Sequence, residues 1–200
     1  IRPGVTEREL AFELEFLLRK EGAEAIAFDL IVASGKTSAI PHAEPSEKTI
    51  EIGDFVTIDM GAVCAGYHSD MTRTVAVGAI SDEQHRVYNV VLEAQKMAIN
   101  AVKPGISCKD IDAIARNFIA ESGFANCFGH ALGHGVGLEI HEKPFLSTLS
   151  EDILQPGMII TIEPGIYLAN AFGVRIEDML LVTADGRENL TAIEKELIIL

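Results

Sequence analysis

The sequence predicts an α+β domain built from two similar halves, because a helix and a pair of strands each occur twice along the chain. Pro3-Gly4 and the later Gly22 recur, at the same spacing, as Pro104-Gly105 and Gly123. Between the Pro-Gly pair and the later glycine, each copy has apolar residues at helical spacing, which predicts a helix. A repeat that takes about half the chain each time indicates two modules facing one another, with any shared site at their interface.

The strands repeat as well. Residues 53–61 read Gly-Asp-Phe-Val-Thr-Ile-Asp-Met-Gly, and residues 157–165 read Gly-Met-Ile-Ile-Thr-Ile-Glu-Pro-Gly. Val, Ile and Thr favour strands, and both copies carry an acid at the same place, Asp59 and Glu163. Taken alone, Asp59 is best explained as an ion-paired or edge-exposed residue. Its second copy favours a shared chemical role, because a buried carboxylate needs a partner.

Each copy continues into a second strand with a second acid. The first passes through a turn at 62–66 into a strand with Asp70, which predicts a hairpin. The second continues into the run 173–182, which predicts a strand with Glu177. Two hairpins with two inward acids each predict four carboxylates that converge on one place.

The first module predicts three further segments in chain order. Thr6 to Glu9 forms a capping box that begins a helix ending at Gly22. Residues 28–33 predict a strand, and residues 34–45, rich in Gly, Ser and Pro, predict a loop.

Two more helices are predicted after the first hairpin. Ser81 to Gln84 is a second capping box, and its helix runs towards Val102 to cover the sheet. Ser107 begins the helix that repeats the first one. The acids of the first helix are expected to be solvated, as charges on a helix face usually are; they are Glu7, Glu9, Glu13 and Glu15.

Composition excludes several function classes. The chain has 200 residues, of which 48% are hydrophobic, enough to bury a full core. Its net charge of −14 argues against nucleic-acid binding, and no apolar run approaches the ~18 residues of a membrane span. Arg2, Pro3 and Glu7 interrupt any signal peptide. The three scattered cysteines, Cys64, Cys108 and Cys127, predict reduced thiols in a cytoplasmic protein.

Residues 126–142 hold three of the six histidines, His130, His134 and His141. Four glycines in this stretch argue against a helix and for an irregular backbone close to a site. A single histidine is more often structural than a ligand. One imidazole with four carboxylates suits Mn, Co, Fe or Zn, and two ions would balance the negative charge better than one. Such a pair activates water for hydrolysis.

Five motifs in order make the chain resemble the pita-bread metallopeptidases, and within them the Xaa-Pro peptidases, aminopeptidase P and prolidase. The motifs lie at 58–62, 68–74, 133–142, 161–167 and 174–178. The resemblance covers essentially the whole chain. It implies a pita-bread fold in which residues 1–200 form one catalytic domain, without the family's N-terminal domain and first helix.

The resemblance also implies roles for individual residues. The expected ligands of a dinuclear centre, with Mn first and Co, Zn or Fe as alternatives, are Asp59, Asp70, His134, Glu163 and Glu177. Asp70 and Glu177 are expected to bridge the ions, and Glu163 also to accept the proton of the attacking water. His42 and His141 are expected to contact the substrate and to stabilise the transition state. His130 and Arg175 are expected to line the substrate pocket or to support the geometry at the metals, and Tyr167 is expected to be a pocket residue. Charge balance beside the acids is a nearly equally good explanation of Arg175.

The activity implied is hydrolysis of the peptide bond before proline in small peptides. Methionine aminopeptidases share the five ligands, but residues 34–45, His130 and residues 174–178 look like the Xaa-Pro pattern. A creatinase-like hydrolase would have lost ligands, and a binding-only domain would not need them. Prolidase and aminopeptidase P stay open alternatives. Relatives commonly form homodimers through their N-terminal domain.

Overall fold

The computed structural model describes residues 1–200. Three α-helices cover the sheets: α1 (Glu7–Lys20), α2 (Asp82–Ala101) and α3 (Cys108–Ile119). A 3₁₀ turn spans Gly35–Ala39, and a π turn, Ala120–Phe124, extends α3. None of the helices combines the length and the apolar character needed to cross a membrane.

Thirteen short strands complete the fold. Those of the first half are β1 (Ala25–Ile26), β2 (Ile31–Ser34), β3 (Phe55–Met60), β4 (Ala62–Cys64), β5 (Tyr67–His68) and β6 (Met71–Ala76). Those of the second half are β7 (Gly133–Gly135), β8 (Glu142–Leu146), β9 (Ile159–Ile162), β10 (Gly165–Leu168), β11 (Phe172–Arg175), β12 (Asp178–Val182) and β13 (Arg187–Asn189).

Sheet topology confirms the predicted repeat. The first half contains an antiparallel sheet in the order β2-β3-β6, and the second contains β7-β9-β12 in the same relation within a larger sheet, β13-β12-β9-β7-β8. In each half a pair of short strands interrupts the main hairpin, β4 and β5 in one and β10 and β11 in the other. The fold is therefore the predicted α+β pair of helix and antiparallel-strand modules.

The segments before the two repeated helices also make equivalent hydrogen bonds. The amide of Gly4 donates to the carbonyl of Ile50 at 2.9 Å, and the amide of Gly105 donates to the carbonyl of Leu154 at 2.8 Å. Thr6 caps α1 with the predicted capping box, whereas Ser107 begins α3 without a side-chain hydrogen bond. The repeat thus conserves the backbone path more closely than the capping chemistry.

Both halves contribute to one apolar core. Phe55 of β3 packs edge-on against Phe172 of β11 with ring centroids 5.5 Å apart, and its other neighbour is Tyr88 of α2 at 6.1 Å. The capping box at Ser81 begins α2 as predicted. Because α2 covers strands from both modules, neither half encloses its core alone.

Four predicted boundaries differ from the structure. The turn predicted at 62–66 begins as strand β4, and the reversal itself lies at Ala65 and Gly66. The strand predicted at 28–33 is Ile31–Ser34, and the loop at 34–45 begins with the 3₁₀ turn. The single strand predicted at 173–182 is two strands, with Ile176 and Glu177 between them. The strand is therefore interrupted at this acid, and its two parts belong to different sheets.

The glycine-rich stretch is more ordered than predicted, since Gly133–Gly135 forms a strand in the larger sheet. A Cβ at Gly133 would lie 2.0 Å from the carbonyl oxygen of Thr161, and one at Gly135 would lie 2.4 Å from that of Lys143. Glycine at both places lets neighbouring backbones approach closely. His134 is thus held rigidly between them.

The prediction that Glu7 is solvated was wrong. Its side chain is fully buried at the start of α1, although Glu9, Glu13 and Glu15 face outwards to differing degrees. A helix-face pattern cannot reveal this, because the donors that surround Glu7 come from a loop distant in sequence.

Candidate metal centre

The four predicted acids meet at the interface of the two modules. Asp59 lies on β3 and Asp70 directly precedes β6, while Glu163 directly follows β9 and Glu177 joins β11 to β12. All four line a cavity of about 520 Å³. Each module therefore contributes two carboxylates from equivalent strands, as the repeat predicted.

His134 completes the cluster from β7. Its Nε2 lies 3.5 Å from Oδ2 of Asp70 and 3.4 Å from Oε1 of Glu163. Its Nδ1 faces the carbonyl oxygen of Gly135 at 2.9 Å, and so must carry the proton that is donated there. In the neutral ring, Nε2 is then a bare lone pair that faces two carboxylate oxygens.

Only one guanidinium offsets these charges. Arg175 is 3% exposed, and its Nη2 donates to Oδ2 of Asp59 at 2.6 Å. The other oxygen of Asp59, Oδ1, is buried and has no hydrogen-bond partner. Charge balance thus explains part of Arg175's role, but none of the other three carboxylates is paired with an Arg or Lys side chain.

The carboxyl pKa values reflect this crowding. Burial, followed by the charges of Asp59 and Glu163, raises the pKa of Asp70 to about 9. Burial and the charge of Glu177 raise the pKa of Glu163 well above its usual value. Burial and the charge of Asp70 do the same for the pKa of Glu177. Without a cation, these groups favour their protonated forms.

The residues fit a metal centre. Asp70, His134 and Glu177 each offer a ligand atom, and these atoms lie within 4.8 Å of one another. Nε2 of His134, which faces two carboxylate oxygens, and the unpartnered Oδ1 of Asp59 can both serve as ligand atoms. Carboxylate oxygens with one imidazole suit a hard or borderline divalent ion. The donor set therefore supports the predicted divalent cations.

Two threonines that the sequence reasoning missed orient the acids. Thr72 donates its hydroxyl to Oε2 of Glu177 at 2.6 Å. The hydroxyl of Thr161 accepts from the amide of His134 at 3.1 Å and donates to Oε1 of Glu163 at 3.2 Å. Thr72 is two residues from Asp70, and Thr161 is two residues from Glu163. Residues two apart on a strand point to the same face, so the sequence did contain a signal for both threonines.

The other predicted histidines surround the same cavity. His42, His130 and His141 all line it. The ring of His141 packs edge-on against that of His134, with centroids 4.4 Å apart. Burial lowers the pKa of His141, and the neighbouring imidazole of His134 acts in the same direction. His42 and His141 are exposed, and so are accessible to a ligand in the cavity.

His130 and Tyr167 form a half-buried chain to Arg175. Nδ1 of His130 lies 2.8 Å from the carbonyl oxygen of Ala131, so it carries the ring proton, and Nε2 accepts from the hydroxyl of Tyr167 at 2.9 Å. That hydroxyl in turn accepts from Nη1 of Arg175 at 2.9 Å. Burial lowers the pKa of His130 to about 4, and the charge of Arg175 acts in the same direction. Tyr167 does not itself line the cavity, although its two partners do.

Comparisons with known proteins agree with this geometry. A sequence profile of metallopeptidase family M24 matches residues 1–184. The Xaa-Pro dipeptidase of Pyrococcus horikoshii is 53% identical over 198 residues, which cover 99% of this chain and 56% of that protein. The chain thus spans little more than half the length of the curated relatives it matches.

Solved structures give the same result. An Xaa-Pro dipeptidase from Bacillus anthracis superimposes with a TM-score of 0.98 at 55% identity, over 100% of this chain and 56% of that one. An X-Pro aminopeptidase from Thermotoga maritima superimposes with a TM-score of 0.97 at 46% identity, over 100% and 56%.

Proposed function

Because the chain belongs to metallopeptidase family M24, we propose that it hydrolyses the peptide bond before proline, in Xaa-Pro dipeptides or at the N-terminus of longer Xaa-Pro peptides. The observation that carries the proposal is the meeting of four carboxylates and His134 at one cavity, with a single guanidinium beside them. Relatives named Xaa-Pro dipeptidase and X-Pro aminopeptidase support the preference for proline.

In this proposal two divalent ions are held by residues of both modules. The ligands are Asp59, Asp70, His134, Glu163 and Glu177, with Asp70 and Glu177 shared between the ions. Manganese is the ion we propose, because carboxylate oxygens dominate the set and suit Mn. When bound, such ions supply a lowered pKa for water and polarise a carbonyl.

Glu163 is the proposed proton acceptor. Its carboxylate lines the cavity and accepts one hydrogen bond, from the hydroxyl of Thr161 to Oε1. The other lone pairs of the carboxylate are available for a proton. From there it can take a proton from the attacking water and pass it to the nitrogen of the departing proline. A positioned carboxyl group that first accepts and then donates a proton is a general base followed by a general acid.

The histidines of the cavity wall are proposed to bind the substrate. His42 and His141 are exposed towards the cavity. His42 can donate to a polar group of the bound substrate, and His141 can donate to the scissile carbonyl as negative charge develops on it. His130 stays neutral, and with Tyr167 it holds Arg175 against Asp59. These three residues are thus proposed to keep one ligand in place.

The cytoplasm is the compartment we propose. Cys64, Cys108 and Cys127 are all free thiols. Thiols persist in a reducing compartment, whereas exported proteins tend to oxidise them. Small peptides from intracellular protein breakdown would be substrates of suitable size for the cavity.

A panel of peptides tests the activity. Protein loaded with Mn should cleave Ala-Pro or Arg-Pro-Pro before the proline, as measured by release of the N-terminal residue, and chelated protein should not. Met-Ala-Ser is a substrate for a methionine aminopeptidase, the alternative activity, and should remain intact. Cleavage of Met-Ala-Ser alone would select that alternative, and cleavage of none of the peptides would favour a binding role.

A further inference from the structure

The fully buried carboxylate of Glu7 accepts more hydrogen bonds than any role in the helix requires. It lies in the first turn of α1, whose capping is already complete through Thr6 and Glu9. It accepts five hydrogen bonds. Ser34 and Ser46 each donate their amide and their hydroxyl, and Thr37 donates its hydroxyl. All of them lie outside α1.

These donors come from both ends of one loop. We name residues 34–46 the His42 loop. It begins at Ser34, the last residue of β2, and ends at Ser46, which lies beside Glu7 again. The amide of Ser34 donates to Oε1 of Glu7 at 2.7 Å, and the amide of Ser46 donates to Oε2 at 3.1 Å. One carboxylate therefore holds the two ends of the loop together.

Glu7 is charged in this setting. Burial would raise the pKa of Glu7, but the hydrogen bonds from Ser46, Thr37 and Ser34 outweigh it and lower that pKa. The ammonium of Lys48 lies close by and donates to the hydroxyl of Ser34 at 2.9 Å. A charged acceptor makes stronger hydrogen bonds than a neutral one, so the loop ends are firmly fixed.

The middle of the His42 loop reaches the metal centre. The carbonyl of Pro41 accepts from Nη1 of Arg175 at 3.1 Å, and the hydroxyl of Ser38 accepts from the amide of Gly173 at 2.8 Å. His42, the residue after Pro41, lines the cavity. Its ring makes no hydrogen bond within the protein. The position of this imidazole depends on the backbone of the loop.

We propose that Glu7 is a positioning residue for substrate binding, which acts by fixing the His42 loop and hence the imidazole of His42. The inference rests on the proposed function, because His42 is the group through which Glu7 acts. Glu7 touches neither the cavity nor any of the four acids. Its loss should therefore disturb substrate binding and leave the metal centre intact.

The variant Glu7→Gln tests this with little change in shape. The amide nitrogen of glutamine cannot accept, so the donors on one side of the carboxylate lose their partner. We expect kcat/KM for Ala-Pro to fall about 10-fold, mainly through a higher KM, since a misplaced binding group costs one to two orders of magnitude. The Mn content should equal that of the unchanged protein. Glu9→Gln, an exposed acid of the same helix, is the matched control and should keep full activity.

A double-mutant cycle separates positioning from general destabilisation. In a His42→Ala background, Glu7→Gln should lower kcat/KM by less than about twofold, because residues that act through one another are not additive. A full further loss in that background would overturn the inference, as would a folded Glu7→Gln protein with unchanged kinetics. If Glu7→Gln does not fold, Ser46→Ala removes one hydroxyl donor and decides by the same cycle.

The outcomes also separate this inference from the proposed function. If the unchanged protein cleaves no Xaa-Pro peptide, the proposed function fails and the role of Glu7 fails with it. If the unchanged protein cleaves Ala-Pro and the cycle is additive, only the role of Glu7 fails.

Discussion

The hydroxyl of Thr72 donates to Oε2 of Glu177 across 2.6 Å, and so joins an acid of the second module to a strand of the first. The same hydroxyl accepts from Nε of Arg175 at 3.1 Å, and Arg175 in turn donates to Asp59. One buried oxygen therefore fixes the orientation of carboxylates from both modules. The two halves meet through these contacts as well as through their apolar core.

Removing the Thr72 hydroxyl should weaken metal binding. Thr72→Val keeps the shape of the side chain but leaves Glu177 without its donor, and loss of such outer contacts typically costs about 10- to 100-fold in metal affinity. Calorimetric titration with Mn measures the change. Thr57→Val is the control, because Thr57 is also a buried threonine of the sheet but bonds to Thr74 and to none of the four acids. Equal affinity in the two variants would contradict the prediction.

The metal-free protein should become less stable as pH rises. Asp70 has a pKa raised from 3.8 to about 9, so the folded state keeps a proton that the unfolded chain has already released. Stability then falls as pH rises between those two values. Bound Mn removes the need for that proton and should flatten or reverse the slope. Melting temperatures in chelator and in Mn at pH 5, 7 and 9 measure this, and a melting temperature in chelator that rises across this range would refute it.

His141→Ala should lose turnover and keep its metal. His141 lines the cavity beside His134 but does not join the cluster of ligand atoms. Loss of a group that donates to the reacting carbonyl costs about 100-fold or more in kcat. Kinetics on Ala-Pro with parallel metal analysis tests both statements. A variant that lost its Mn would show that His141 is a ligand.

The charge at the C-terminus of the substrate should affect the rate. A dipeptide places its carboxylate one residue beyond the scissile bond, where a buried charge needs a partner. Arg175 is the only Arg or Lys that lines the cavity, and all three of its nitrogens already donate within the protein. Ala-Pro-amide, which differs from Ala-Pro in lacking that charge, should therefore have the higher kcat/KM. A clear preference for the free acid would contradict this.

The sequence predicted most of the fold because its signals were local and doubled. Capping boxes at Thr6 and Ser81 and the paired Thr-Ile-acid strands each indicated one element, and the repeat indicated how the elements face one another. It also brought Asp59, Asp70, Glu163 and Glu177 to one cavity correctly.

What the sequence could not predict depends on contacts between distant segments. The burial of Glu7 requires donors from Ser34 and Ser46, which no helical pattern contains. The strand at His134 requires a neighbouring backbone that only glycine allows to approach. The half-buried position of Tyr167 likewise follows from its two partners, His130 and Arg175.

Metal stoichiometry tests the central claim most directly. Protein dialysed after loading with Mn should retain two ions per chain, and Asp70→Asn should retain fewer and lose turnover, since a shared carboxylate oxygen is removed. Elemental analysis with parallel kinetics on Ala-Pro measures both. The predicted result is two retained ions in the unchanged protein, and fewer than two in Asp70→Asn. Unchanged Mn content and turnover in Asp70→Asn would contradict the account that acids of both modules hold the ions together.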